Sequence, residues 1–93
     1  MSPLAATAAE NRRPVASFFV HARTEPGVMP RVLELFAKRG LVPSAFHSRT
    51  SGPEDAELTI DIQLPGLDRD TVDYIAACMR QIASVEAVLT ARG

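Results

Sequence analysis

Ser44, Ser48 and Cys78 are candidate nucleophiles, and His21 and His47 are the two imidazoles of the chain. Nucleophilic catalysis needs a nucleophile, a base within reach and a third group that orients the base. No motif joins these residues into such a set. Cys78 falls off the apolar stripe of its segment, where a small helix residue accounts for it. Asp68, Asp70 and Asp73 crowd the start of a second apolar-periodic segment. Capping and the helix dipole explain acidic residues there without catalysis. A metal carrier would want paired cysteines in the loop from Thr24 to Pro30, which has none, and the two histidines stand on different predicted strands. The residue types predict no enzyme and no metal centre.

One short stretch remains, Thr24-Glu25-Pro26-Gly27-Val28-Met29-Pro30. Proline lacks an N–H and fixes its own φ, and it is tolerated in a first helical turn, where amides have no intrahelical partner. The donors left between the prolines belong to Gly27, Val28 and Met29. Unpaired amides at the positive end of a helix make a small anion site suited to a carboxylate. Gly27 permits a tight turn and close approach of a ligand or another backbone. Pro-Gly serving simply as the turn into the helix explains the same residues equally well.

The elements that must position this loop are legible by period. Val15 to Arg23 puts Ala16, Phe18, Val20 and Ala22 on one strand face and Ser17, Phe19, His21 and Arg23 on the other. From Val28 to Arg39 the period becomes helical, with Met29, Val32, Leu33 and Phe36 as the stripe. Lys38 and Arg39 fall in the last turn, and Gly40 is the expected left-handed cap. Leu41 to Thr50 reads as a weaker strand, in which Pro43 belongs at the start or on an edge. Ser51 to Asp55 is turn chemistry. Ala56, Leu58, Ile60, Ile62 and Leu64 then alternate with Glu57, Thr59, Asp61 and Gln63. Pro65-Gly66 ends that strand. Asp68 caps a second helix with Val72, Ile75, Ala76, Met79 and Ile82 on one face, and Val85 to Ala91 is a last strand.

This βαββαβ order, with clean in/out alternation, predicts an α+β ferredoxin-like sandwich: a four-stranded antiparallel sheet with both helices on one face. Residues 15–93 form its single domain, and the Ala-rich residues 1–14 read as a flexible N-terminal tail. Ten basic against eleven acidic residues leave no electrostatic footprint for nucleic acid or an anionic membrane. The third strand offers Thr59, Asp61 and Gln63 where an RNA-recognition sheet needs aromatics. No apolar run spans a bilayer, no signal peptide is present, and a single cysteine suits a reducing cytoplasm.

Glu25-Pro26-Gly27-Val28-Met29, Arg31-Val32, Leu35-Phe36 and Lys38-Arg39-Gly40 carry a further signal. They resemble the N-x-P-G-V-L-x-R-V-x-x-L-F-x-x-R-G run that opens acetolactate synthase small subunits. The stretch from Phe18 to Ile82 as a whole is similar to an ACT domain, the small ligand-sensing module of amino-acid metabolism. The resemblance implies a non-catalytic regulatory subunit that pairs side by side through its sheet as a homodimer. It implies an amino-acid effector bound where two copies meet, and docking on a catalytic large subunit in branched-chain amino-acid biosynthesis. Thiamine diphosphate, flavin and magnesium would belong to that partner, with no cofactor on this chain. Carried over, the effector-binding positions are Thr24, Glu25, Gly27, Val28 and Met29, with Leu41, Val42 and Pro43. Thr24 and Val42 stand where the family has Asn; Thr24 keeps one hydrogen-bonding group and Val42 none. Two alternatives to that role are a stand-alone amino-acid sensor and an interaction-only dimer. The outward sheet face (Phe19, His21, Thr59, Asp61, Gln63) is a second expected partner surface.

Overall fold

The computed structural model describes residues 14–93, so the predicted tail lies outside the described residues except for Pro14. The elements are β1 (Val15–Arg23), α1 (Val28–Ala37), β2 (Ala45–Ser51), β3 (Glu57–Pro65), α2 (Arg69–Arg80) and β4 (Val85–Arg92), with a short 3₁₀ turn at Pro53–Asp55. The strands form one antiparallel sheet in the order β2-β3-β1-β4, the predicted ferredoxin-like arrangement.

The two central strands set the core. Phe18 lies opposite Ile62, Val20 opposite Ile60 and Ala22 opposite Leu58, all buried on the face beneath the helices. From α1 they meet Val28, Val32 and Phe36, and from α2 Val72, Ile75, Ala76 and Met79. Phe18 and Phe36 meet edge to face, with ring centroids 5.5 Å apart and planes at 76°. That geometry sets the positive ring edge against a negative face.

The structure rotates the predicted α1 stripe. Val28, Val32 and Phe36 point inward, Met29 and Leu35 flank them, and Leu33 is exposed. Val28, Val32 and Phe36 at i, i+4 and i+8 form a row that stays on one side of a short helix, and Leu33 lies about 100° from Val32. The helix also ends sooner than its charge pattern suggests, at Ala37. Gly40 adopts φ +67°, its amide bonding the Ala37 carbonyl at 3.0 Å and the Leu41 amide the Phe36 carbonyl at 2.9 Å. This pair of bonds is the Schellman closure, which satisfies carbonyls that the helix end leaves open. Arg39, beyond the last turn, reaches back to the Leu35 carbonyl at 2.9 Å and lies 4.7 Å from the centre of the Tyr74 ring. It therefore ties α1 to α2.

Two strand boundaries also move. The Leu41 amide is consumed by the helix cap and Pro43 has none, so Leu41–Pro43 is a connector and β2 begins at Ala45. The edge strand expected to contain Pro43 thus starts after it. Ala56 falls just before β3 and is exposed, while Leu58, Ile60, Ile62 and Leu64 alternate inward as expected. At α2, Asp68 caps as predicted, its carboxylate accepting the Thr71 amide at 2.7 Å. That backbone bond, with the Thr71 side chain, holds the Asp68 carboxyl below its ordinary value.

Candidate functional site

The loop from Arg23 to Val28 is fastened from two sides. The Arg23 amide bonds the Ser84 carbonyl at 2.9 Å, ahead of β4. The Thr24 amide bonds the Ala56 carbonyl at 2.9 Å, and its hydroxyl donates to the Asp55 carbonyl at 2.6 Å. The Glu25 carboxylate accepts from the buried Ser84 hydroxyl at 2.5 Å. Thr24 and Glu25 are therefore spent inside the fold, joining the β1–α1 loop to the β2–β3 and α2–β4 turns. The Val28 amide is also consumed, by the Glu25 carbonyl at 3.2 Å. Of the amides between the prolines, those of Gly27 and Met29 make no such loop bond.

Gly27 is informative for what does not require it. Its φ of −80° and ψ of −9° are open to every residue, so the turn itself does not demand glycine. A Cβ there would meet only the Arg31 guanidinium group, at 3.9 Å. Neither strain nor packing demands glycine here; it is a favoured N-cap residue and leaves the approach to the helix start open. The first turn of α1 contains no acidic side chain, so nothing on the helix itself opposes an anion at its positive end.

Leu41, Val42 and Pro43 lie at the other end of the sheet. α1 runs back antiparallel to β1 for ten residues, so roughly 15 Å of helix separates the two sets. One copy of the chain does not bring them together. Val42 is 83% exposed beside the free edge strand β2.

The opposite face of the sheet is open. Register places His47, Asp61, Phe19 and Leu89 side by side across all four strands, and Arg49, Thr59, His21 and Ala87 in the next row. Together they line a concavity of about 620 Å³. Phe19 is 48% and Leu89 69% exposed. Asp61 Oδ1 is sealed from solvent without a hydrogen-bond partner, a condition that costs about 1–3 kcal/mol. His21 sits 3.3 Å from Glu57 at the rim. The sequence pattern found Phe19, His21, Thr59 and Asp61 on this face but missed His47, Arg49 and Leu89. Alternation within β2 and β4 carried that signal, but only register shows which rows they join.

The candidate nucleophiles do not assemble with the histidines. Cys78 is half-buried on α2, beneath the sheet from His21 and His47. Ser44 is tied to the Gln63 carbonyl at 3.2 Å. Ser48 lies opposite Ile60, on the face away from His47. Among the described residues no group of three or more His, Cys, Asp or Glu side chains could hold a metal ion, and no helix is long and apolar enough to cross a membrane.

The fold is shared with solved structures at low identity. The C-terminal domain of the MgtC protein from Mycobacterium tuberculosis superposes with a TM-score of 0.71 at 15% identity, covering 87% of this chain and 88% of that one. The ACT domain of the GTP pyrophosphokinase of Chlorobium tepidum gives 0.68 at 12% identity, covering 83% and 96%. The regulatory subunit of aspartate kinase from Thermus thermophilus gives 0.60 at 12% identity, covering 85% of this chain and 50% of that longer one. No curated protein matches the chain. A family model described as an ACT-like domain matches residues 9–92. The chain belongs to the ACT-like domain family.

Proposed function

We propose that this protein is a non-catalytic regulatory module that pairs with a second copy along β2 and binds an amino acid at that junction. The observation that carries the reading is Gly27, a glycine that neither its backbone angles nor its neighbours require, at the positive end of α1. β2 is an edge strand, and an antiparallel β2–β2 pair about a two-fold axis reverses one copy against the other. Leu41–Pro43 of one copy then faces Thr24–Met29 of its partner, joining the two halves that a single chain keeps apart. The ligand carboxylate meets the Gly27 and Met29 amides, while Val42 and Pro43 supply apolar contact. Thr24 and Glu25 shape the loop and do not touch the ligand.

The finer reading is a small subunit of acetolactate synthase, cytoplasmic, with the cofactors on the catalytic partner. It rests on the run from Glu25 to Gly40. Exposed Val42 in place of a polar side chain favours a second reading, an interaction-only dimer.

A thermal melt against the common amino acids tests binding. A ligand at about ten times its dissociation constant adds roughly 1.4 kcal/mol, a rise of about 5–10 °C for a domain this small. The expected result is a rise with Val, Leu or Ile that disappears in Gly27→Val, whose own melting point stays near the parent's. A dimer by sedimentation with no rise for any amino acid would replace this reading with the interaction-only dimer.

A further inference from the structure

The sheet has a second free edge, β4, at the far side from β2. Val15 and Gly93 exchange both backbone bonds, at 2.8 and 3.2 Å, and the register continues from them to His21 and Ala87. Bonded and non-bonded pairs alternate along an antiparallel ladder. Ala87, Leu89 and Ala91 therefore spend their amides and carbonyls on β1, while those of Val88, Thr90 and Arg92 point outward along the sheet. One of these outward groups is answered from within, since Arg80 on α2 donates to the Val88 carbonyl at 2.8 Å. A carbonyl has two lone pairs. Arg80 reaches this one from the helix layer, and the direction in the plane of the sheet stays open. Three side chains of β4 are also left unanswered. Leu89 is 69% exposed. Glu86 falls where the register shifts and has no counterpart on β1, and it joins no ion pair among the described residues. Arg92 donates through Nε to the Leu67 carbonyl at 2.9 Å, which leaves its two terminal nitrogens for another acceptor.

We propose that β4 pairs antiparallel with β4 of a second copy, about a two-fold axis that passes through Leu89. Outward groups must meet outward groups, so the axis passes through a residue and not between two. Among such axes only the one at Leu89 sets Glu86 opposite the partner's Arg92, and symmetry makes that ion pair twice. Val88 and Thr90 then exchange bonds with the partner's Thr90 and Val88. Leu89 meets the partner's Leu89 in a non-bonded pair, the kind in which side chains approach most closely. Small Ala87 and Ala91 face each other on either side of that contact and leave room for it. The backbone, the exposed leucine and the two unanswered charges thus agree on one register. This edge is opposite the β2 junction, and the pairing does not rest on that reading. A chain that pairs through both edges builds assemblies larger than a dimer.

The test is disulfide cross-linking of the full chain in a Cys78→Ala background, with one cysteine placed on β4. A non-bonded antiparallel pair holds its Cα atoms about 4.5 Å apart, within reach of a disulfide. A residue on the axis faces itself, so oxidised Leu89→Cys should run as a covalent dimer on a non-reducing gel. Ala87→Cys and Ala91→Cys face each other, so each alone should stay monomeric and the two mixed should cross-link. Sedimentation gives a second readout. Glu86→Arg and Arg92→Glu should each weaken this association about tenfold, and the two changes together should restore it. A dimer in solution whose Leu89→Cys form fails to cross-link would overturn this proposal and leave the β2 junction standing. Cross-linking of Ala87→Cys or Ala91→Cys alone, as readily as Leu89→Cys, would overturn the register. A chain that stays monomeric at every concentration would overturn both pairings.

Discussion

The two faces of this sheet are built from the same strands, one residue out of step, and they differ in nearly every physical respect. On the inner face Phe18, Val20, Ile60 and Ile62 are closed over by Phe36, Ile75 and Met79, with nothing polar left to satisfy. On the outer face Phe19 and Leu89 are exposed and Asp61 keeps an oxygen without a partner. Burial of apolar area makes the inner face the source of stability. The outer face is left uncovered and contributes less to folding. A pleated strand with only one face covered lets one segment of chain serve both ends.

Breaking the inner face should have the largest effect. Phe36→Ala removes the ring that packs on Phe18. It should cost about 3–5 kcal/mol and lower the melting point by roughly 15–30 °C. Calorimetry checks this, and a drop under about 5 °C would show that the core closes over the gap. The outer face should respond far less. Phe19→Ser should change stability by only about 1 kcal/mol, measured by urea denaturation.

The carboxylate that caps α2 gives the smallest effect. Asp68 accepts the Thr71 amide, which lowers its pKa below 3.8. A carboxyl that binds its proton more weakly when folded stabilises the fold above its unfolded pKa, and that contribution fades as pH falls through the folded value. Asp68→Ala should therefore melt below the parent at pH 7, and the two melting points should converge well below pH 3.8. A gap that persists in acid would mean that the neutral carboxyl still accepts the Thr71 amide and caps without its charge.

The fold was legible because its signals are local. Alternation in Val15–Arg23 and Glu57–Leu64, Asp68 before a helical stripe, and Gly40 after one each depend on neighbours a few residues away. The stripe of α1 was read one position out of place, since Val28 and Met29 are both apolar and only packing on Phe18 selects between the rows. The loop was legible as a site by composition, but its bonding was not. Thr24, Glu25 and the Val28 amide are consumed by Asp55, Ser84 and Glu25 itself, and the first two of these partners stand 31 and 59 residues away in sequence.

By itself the sequence determined the order of the elements, which face of each central strand is buried, and where both helices start. Those follow from side-chain period and backbone chemistry within one turn or one strand. Tertiary structure alone decided that His47, Arg49 and Leu89 join Phe19 and Asp61 on one face, and that Leu41–Pro43 lies a helix length from Gly27. Register and end-to-end placement come from pairing between distant segments. A two-residue or 3.6-residue period says which way a side chain points, but not which strand it will lie beside.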